Sequence, residues 1–149
     1  MATLYEYYSS GDDTKVEMST IRWAAQTFTP STSHSLEYVR LKLYREAGAA
    51  GTLTVEIQTT SVNKPTNTKV DVSATSTLNF SSLTTSTSGD WYTIYISSEP
   101  LLSAGTTYAI VVKSSSVNTN THWRVDNSSP TYSNGRFCQT LNSGVNWYG

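Results

Sequence analysis

The chain has 149 residues, only 14% of them charged, and its 10 Lys and Arg nearly balance its 11 Asp and Glu. Because there is no basic surplus to neutralise phosphates, this balance argues against a nucleic-acid partner. No apolar run reaches the length needed to cross a bilayer, so no membrane insertion is expected. The length predicts one domain over residues 1–149, and the single cysteine excludes an intrachain disulfide.

Period-two alternation of apolar and polar side chains is the strongest signal along the chain, and it is typical of strands with one buried face. In chain order, the predicted strands cover residues 3–8, 23–29, 39–44, 53–58, 70–74, 91–96, 107–112, 121–125 and 136–141. Turn residues such as Gly, Asn and Pro separate them. About nine short strands at this spacing predict an all-β fold, an antiparallel two-sheet β-sandwich of the jelly-roll type.

Three further predictions concern which side chains this framework buries. The low-complexity segment 75–88 is expected to be held to the core by Leu78, Phe80 and Leu83. Cys138 lies in a predicted strand and is expected to be a small buried residue rather than a reactive thiol. His122 alternates with its neighbours and is predicted to lie on the surface.

The sequence offers no constellation of catalytic residues, so the protein is predicted not to be an enzyme. A glycosidase needs two opposed carboxylates, and a serine hydrolase needs a positioned base. The acidic residues are instead scattered and are predicted to be solvated, among them Glu37, Glu46, Glu56 and Asp71. We therefore assign no catalytic residues.

Asp12 and Asp13 follow Gly11 and form the first of two weaker signals for a binding site. Carboxylates in a loop suit Ca²⁺, which takes about six to eight oxygen ligands and often fixes a loop in sandwich domains. Two carboxylates do not complete such a site. The alternative is an Asp-rich turn whose side chains bond to their own backbone.

The second signal is a group of aromatic residues in the polar, turn-rich last third of the chain. Flat rings stack on the C–H face of a sugar, while amide and guanidinium groups bond its hydroxyls. The residues predicted to contact a glycan are Trp123, Tyr132, Asn134, Arg136, Trp147 and Tyr148. Core or interface packing of the aromatic members is the alternative. Trp23 and Trp91 begin strands and are expected in the core or at a sheet rim, and Tyr5, Tyr7 and Tyr8 could support an oligomer contact.

Several segments follow one another in an order that resembles a known domain type. They read AAQTFTP at residues 24–30, GTLTVEI at 51–57, PLLSAGTTYAIV at 100–111, HW at 122–123 and NWY at 146–148. This order resembles a jelly-roll domain of phage virion and tail proteins and of bacterial surface proteins of the choice-of-anchor type, similar in fold to carbohydrate-binding modules. The resemblance covers nearly the whole chain, but its motifs specify strands and turns and no catalytic residue.

The resemblance implies a non-catalytic virion surface protein of a phage: a capsid decoration, head-fibre or tail accessory domain that mediates structural attachment and glycan adhesion. The expected partners are capsid or tail proteins, other copies of the chain and a cell-surface glycan. The expected location is the virion surface after assembly in the host cytoplasm, since the N-terminus lacks the basic and apolar regions of a signal peptide. The alternative is an extracellular carbohydrate-binding module excised from a secreted glycoside hydrolase or a bacterial adhesin.

Overall fold

The computed structural model describes residues 3–149, and their secondary structure is β-strand apart from one short 3-10 helix. Of these residues, none belongs to a helix long and apolar enough to cross a membrane. The strands are β1 (Thr14–Met18), β2 (Trp23–Phe28), β3 (His34–Ser35), β4 (Tyr38–Arg45), β5 (Thr52–Ser61), β6 (Lys64–Lys69), β7 (Thr75–Asn79), β8 (Asp90–Tyr95), β9 (Leu101–Leu102), β10 (Tyr108–Ser114), β11 (Thr121–Val125) and β12 (Phe137–Thr140); the 3-10 helix is Phe80–Ser82.

Two antiparallel sheets contain almost all of these strands. The smaller sheet has the order β1-β11-β4-β8, and the larger has the order β12-β2-β10-β5-β6, with β7 also paired to β5. A short ladder of β3 and β9 stands apart from both. The prediction of an all-β, antiparallel fold is confirmed, and the architecture is sandwich-like.

The core lies between the two sheets and follows the predicted alternation. On β4 the buried inward residues are Val39, Leu41 and Leu43, while Arg40 is exposed and Lys42 is partly exposed. On β5 the buried inward residues are Leu53, Val55 and Ile57. In the low-complexity segment, Phe80 and Leu83 are buried and Leu78 packs against the core as a partly buried residue, as predicted.

Two predicted strands are wrong. Residues 3–8 form no strand; Tyr5 stacks on the ring of His34 at 3.7 Å, and Glu6 accepts a hydrogen bond from the Ser31 amide. Residues 70–74 form the turn between β6 and β7, because the Asp71 carboxylate accepts a bond from the Ser73 amide at 2.8 Å. Such local side-chain bonding competes with a strand ladder.

Five strands escaped prediction: β7, the two-residue strands β3 and β9, and the edge strands β1 and β6. β1 is the edge of the smaller sheet, and although Lys15 and Glu17 alternate with Val16 and Met18, the pattern is only five residues long. β6 contains Pro65, which sequence reasoning placed in a turn. Proline has no amide proton for a ladder, so it is tolerated on an edge strand such as this one.

The outer side of the larger sheet is also covered, by the C-terminal segment. Trp147 is 8% exposed and packs with Ala25, Ala109, Val111 and Cys138. The predicted burial of Cys138 is thus confirmed. Glu56 and Lys113 form an ion pair of 2.9 Å on this same side, so Glu56 is partly buried rather than solvated as predicted.

Candidate functional site

The structure disperses the aromatic residues that were predicted to contact a glycan. Trp123 is 8% exposed because β11 is a central strand and its ring faces the core, with Leu43 directly opposite on β4. Trp147 is buried as described above. Burial therefore removes both tryptophans from the predicted contact. Tyr148 is 53% exposed, and its backbone bonds Gln139 of β12 in both directions at 2.8 Å.

Tyr132, Asn134 and Arg136, by contrast, come together before β12. Asn134 and Arg136 line a cavity, and the Tyr132 ring lies against the backbone of Gly135 between them. The Tyr132 hydroxyl donates to Glu6 Oε2 at 3.2 Å. Burial raises the pKa of Tyr132 to about 12, so the hydroxyl stays protonated.

The cavity beside Arg136 is polar and has a volume of about 280 Å³. By strand register it opens on the outer side of the larger sheet, where β2, β10 and the β5–β6 turn meet the segment before β12. It is lined by Thr27, Thr29, Asn63, Thr107, Ser133, Asn134, Gly135 and Arg136. We call it the Arg136 cavity. Sequence reasoning singled out two of these residues and missed the threonines, because strand pairing brings them together.

Asp12 and Asp13 do not face each other across a cation site. Asp12 pairs with Lys42 Nζ at 2.8 Å and with Arg124 Nε at 2.9 Å. Burial alone would raise the pKa of Asp12, but the hydrogen bonds from these two cations outweigh it, and the pKa is lowered. The Asp13 carboxylate accepts bonds from the amides of Asn127 and Ser128, both at 3.0 Å.

These contacts argue against the predicted Ca²⁺ site at Asp12 and Asp13. Two positive charges already neutralise Asp12, and they would repel an added cation. Within residues 3–149 no cluster of three or more His, Cys, Asp or Glu side chains is placed to hold a metal ion. The two carboxylates instead fasten the N-terminal segment to the smaller sheet and to the loop after β11.

An exposed aromatic surface lies on the outer side of the smaller sheet. Trp91, Thr93 and Tyr95 alternate outward along β8, and Tyr38 and Arg40 stand beside them on β4. We call these five residues the aromatic face. Trp91 is 40% exposed and Tyr95 is 61% exposed, which are large values for aromatic side chains.

Contacts within the aromatic face hold its rings in place. Tyr38 and Tyr95 meet edge to face with ring centroids 5.7 Å apart. The Arg40 guanidinium lies 5.7 Å from the centroid of the Trp91 ring, within the range of a cation–π interaction. The aromatic rings are therefore supported from the side while keeping exposed surface.

A small cavity of about 50 Å³ adjoins Trp91 at one end of the aromatic face. The N-terminal segment closes it, and its lining combines an aromatic ring with acids and cations: Tyr8, Ser9, Ser10, Asp12, Lys42, Trp91, Arg124 and Asp126. Sequence reasoning expected Trp91 in the core or at a sheet rim. The exposure of Trp91 could have been predicted from the sequence, because Trp91 and Tyr95 both lie on the polar side of an alternating strand.

His122 is fully buried, which corrects its prediction as a surface residue. It points to the outer side of β11, but Glu17 of β1 and Tyr44 of β4 stand directly opposite and cover it. Its ring stacks on Tyr44 at 4.5 Å, and its Nε2 lies 3.3 Å from Glu46 Oε1. Burial lowers the pKa of His122, and the Lys15 charge lowers it further. A buried imidazole of this kind serves packing.

Comparison with known proteins gives no relatives for this chain. No protein-family model matches it, and no curated protein sequence and no solved structure matches it significantly. Functional inference therefore rests on its own residues.

Proposed function

We propose that this chain is a non-catalytic surface domain of a phage virion, a capsid decoration, head-fibre or tail accessory protein, that adheres to carbohydrate. The observation that supports adhesion most strongly is the aromatic face. Exposed rings in a fixed position offer a sugar the flat apolar surface that its C–H face needs. The small cavity beside Trp91 adds charged groups that can bond hydroxyls.

The spacing of the rings suits more than one sugar unit. Trp91 and Tyr95 are four residues apart on one strand, so their Cα atoms are separated by about 13 Å. Tyr38 lies against Tyr95, and Arg40 extends the polar rim toward Trp91. An extended glycan chain could therefore stack on both ends of the aromatic face at once.

The order of the strands supports a jelly roll as the specific fold. Leaving aside the short strands β3 and β9, the chain passes between the two sheets at every connection except those from β5 to β6 and from β6 to β7. The first strand, β1, pairs with β11 near the end of the chain. Two interlocked Greek keys, which define a jelly roll, have long-range pairings of this kind.

A second candidate function is an extracellular carbohydrate-binding module of a secreted glycoside hydrolase or an adhesin. The aromatic face favours it equally, because it needs no virion partner. The virion proposal adds capsid or tail proteins and further copies of the chain as partners, with assembly in the host cytoplasm. A light-scattering mass after size exclusion separates the two: a stable trimer or larger ring supports the virion proposal, and a monomer supports the module.

Glycan-array binding of the wild type and two tyrosine variants tests the adhesion proposal. Tyr95→Ala removes an exposed ring from the aromatic face, while Tyr148→Ala removes a comparably exposed ring elsewhere. We expect Tyr95→Ala to weaken binding by about tenfold and Tyr148→Ala to leave it unchanged. Circular dichroism of both variants checks that they fold. Equal binding by all three proteins, or no glycan bound by the wild type, would contradict the proposal.

A further inference from the structure

The Arg136 cavity is lined by an arginine whose side chain is only partly satisfied by hydrogen bonds within the described part of the chain. Arg136 Nε is buried and has no hydrogen-bond partner among the described residues. No carboxylate of residues 3–149 lies within ion-pair distance of its guanidinium, which is also true of Arg40 and Arg45 but not of Arg22 and Arg124. Leaving a buried donor unpaired costs free energy, so such a group calls for an explanation.

The walls of the cavity are rich in neutral oxygen and amide groups. Thr29 and Thr107 stand with their hydroxyl oxygens 2.9 Å apart on one side, and Asn63 and Asn134 contribute amides. No aromatic or aliphatic residue lines it. An acyl chain would find no aliphatic or aromatic side chain to pack against here, whereas a ligand covered in hydroxyl groups would find several polar partners.

The backbone around the cavity is held in a defined position. Gly135 packs so closely on β2 that a Cβ atom at its position would lie 1.8 Å from the Thr27 carbonyl oxygen. The Arg136 amide donates to Thr27 Oγ1 at 2.8 Å, which fixes the start of the arginine side chain. Across the cavity, the Asn63 carbonyl accepts a bond from the Cys138 thiol at 3.6 Å. Preorganised groups of this kind lose little entropy when a ligand binds.

We infer that the Arg136 cavity binds a sugar that carries a carboxylate, such as a uronic or a sialic acid residue. The two terminal nitrogens of the guanidinium, rather than the buried Nε, bond the carboxylate through parallel N–H groups, and the threonine and asparagine groups bond the hydroxyls. The cavity lies on the larger sheet, on the other side of the fold from the aromatic face. The inference is therefore independent of the proposed adhesion site and stands even if the aromatic face binds nothing.

Titration of the isotope-labelled chain, followed by ¹⁵N–¹H NMR, tests this inference. The probes are galacturonic acid and N-acetylneuraminic acid, with galactose as the neutral control and acetate as the bare carboxylate. We expect both acidic sugars to shift the amide signals of Asn134 and Gly135, with a Kd of about 1 mM or tighter. Galactose and acetate should each bind at least about tenfold more weakly.

Two variants of matched charge complete the test. Arg136→Gln should reduce affinity for the acidic sugars by at least about tenfold, while Arg22→Gln, the same change at the opposite end of β2, should leave it unchanged. The variants' spectra show directly whether each is folded. Wild-type affinity in Arg136→Gln, equal binding of galactose or acetate, or no shift at Asn134 and Gly135 would each overturn the inference. Loss of binding at the aromatic face alone would not affect it.

Discussion

Gly135 lies where the segment before β12 passes close to the backbone of β2. An added Cβ would overlap the Thr27 carbonyl, and Thr27 cannot shift freely because its amide already bonds the Arg136 carbonyl at 2.9 Å. The absence of a side chain at Gly135 therefore allows the backbone that lines the Arg136 cavity to pack directly on β2. At Gly48, by contrast, an added Cβ would meet no atom within 4 Å.

Gly135→Ala should destabilise the protein by about 2 kcal/mol or more, because the overlap forces backbone movement in a paired strand. Gly48→Ala is the control, since it introduces only the strain of its positive φ of 79°, about 1 kcal/mol. Urea denaturation of both variants measures the difference. A smaller loss for Gly135→Ala than for Gly48→Ala would contradict the predicted overlap.

His122 makes stability depend on pH in a defined direction. Burial, followed by the Lys15 charge, lowers its pKa in the folded state, while Glu46 and Glu17 oppose the shift. The unfolded chain keeps the ordinary value near 6.5 and binds more protons as the pH falls. The free energy of unfolding should therefore decrease below about pH 6.5, by at most about 1.4 kcal/mol per pH unit from this one group.

Urea denaturation at pH 7.5 and 5.5 measures this effect, and His122→Gln serves as the variant without a titrating ring. We expect the variant to lose less stability than the wild type between these two values. The same pH dependence in both proteins would show that other groups are responsible.

At the scale of elements, the two sheets differ in how their outer sides are treated. The larger sheet is covered by the C-terminal segment, whose Trp147 packs near Trp23 with ring centroids 6.5 Å apart. The smaller sheet keeps the aromatic face exposed on its edge strand β8. The outward-facing tryptophans of the two sheets therefore differ: Trp147 is buried in a packed cluster, whereas Trp91 is 40% exposed.

Trp147→Ala should destabilise the protein by about 3 kcal/mol or more, because it removes a buried aromatic ring from a packed cluster. Trp91→Ala should cost less stability, since its ring is partly exposed and lies outside the buried clusters. Thermal unfolding of the two variants measures the contrast. If the two variants lose equal stability, the C-terminal segment does not act as a structural cover.

The elements that could be predicted from sequence are those whose burial follows local alternation. β11 has the predicted bounds, and β8 is shifted by one residue, because Trp123 and Val125 on β11, and Tyr92 and Ile94 on β8, alternate with outward neighbours as the pattern predicts. Residues 3–8 and 70–74 have similar patterns but bond through side chains to distant or neighbouring amides. Those contacts form only in the folded protein, so the local sequence pattern does not predict them.

For the whole molecule, the structure brings together some of the residues predicted to contact a glycan and separates others. Asn134 and Arg136 share a cavity as expected, but the neighbouring threonines come from β2 and β10 through strand pairing. The aromatic face unites β4 and β8, which are far apart in sequence. The sequence indicates which side chains are chemically suited to bind a ligand, but it does not predict on which face of which sheet they come together.

The two candidate sites lie on opposite outer sides of the fold, so the molecule is two-sided. One copy could hold a glycan on the aromatic face while an acidic sugar occupies the Arg136 cavity. Neither site would obstruct the other, and copies arrayed on one surface would gain avidity from repeated contacts.

The buried thiol of Cys138 has a consequence for the time course of any reaction with this residue. Its side chain lies beneath the C-terminal cover, and burial raises its pKa, so little thiolate forms in the closed molecule. Reagents that attack thiolates can reach it only during brief openings of that segment. The rate at which the single cysteine of this chain is modified therefore reports the rate at which the C-terminal segment opens.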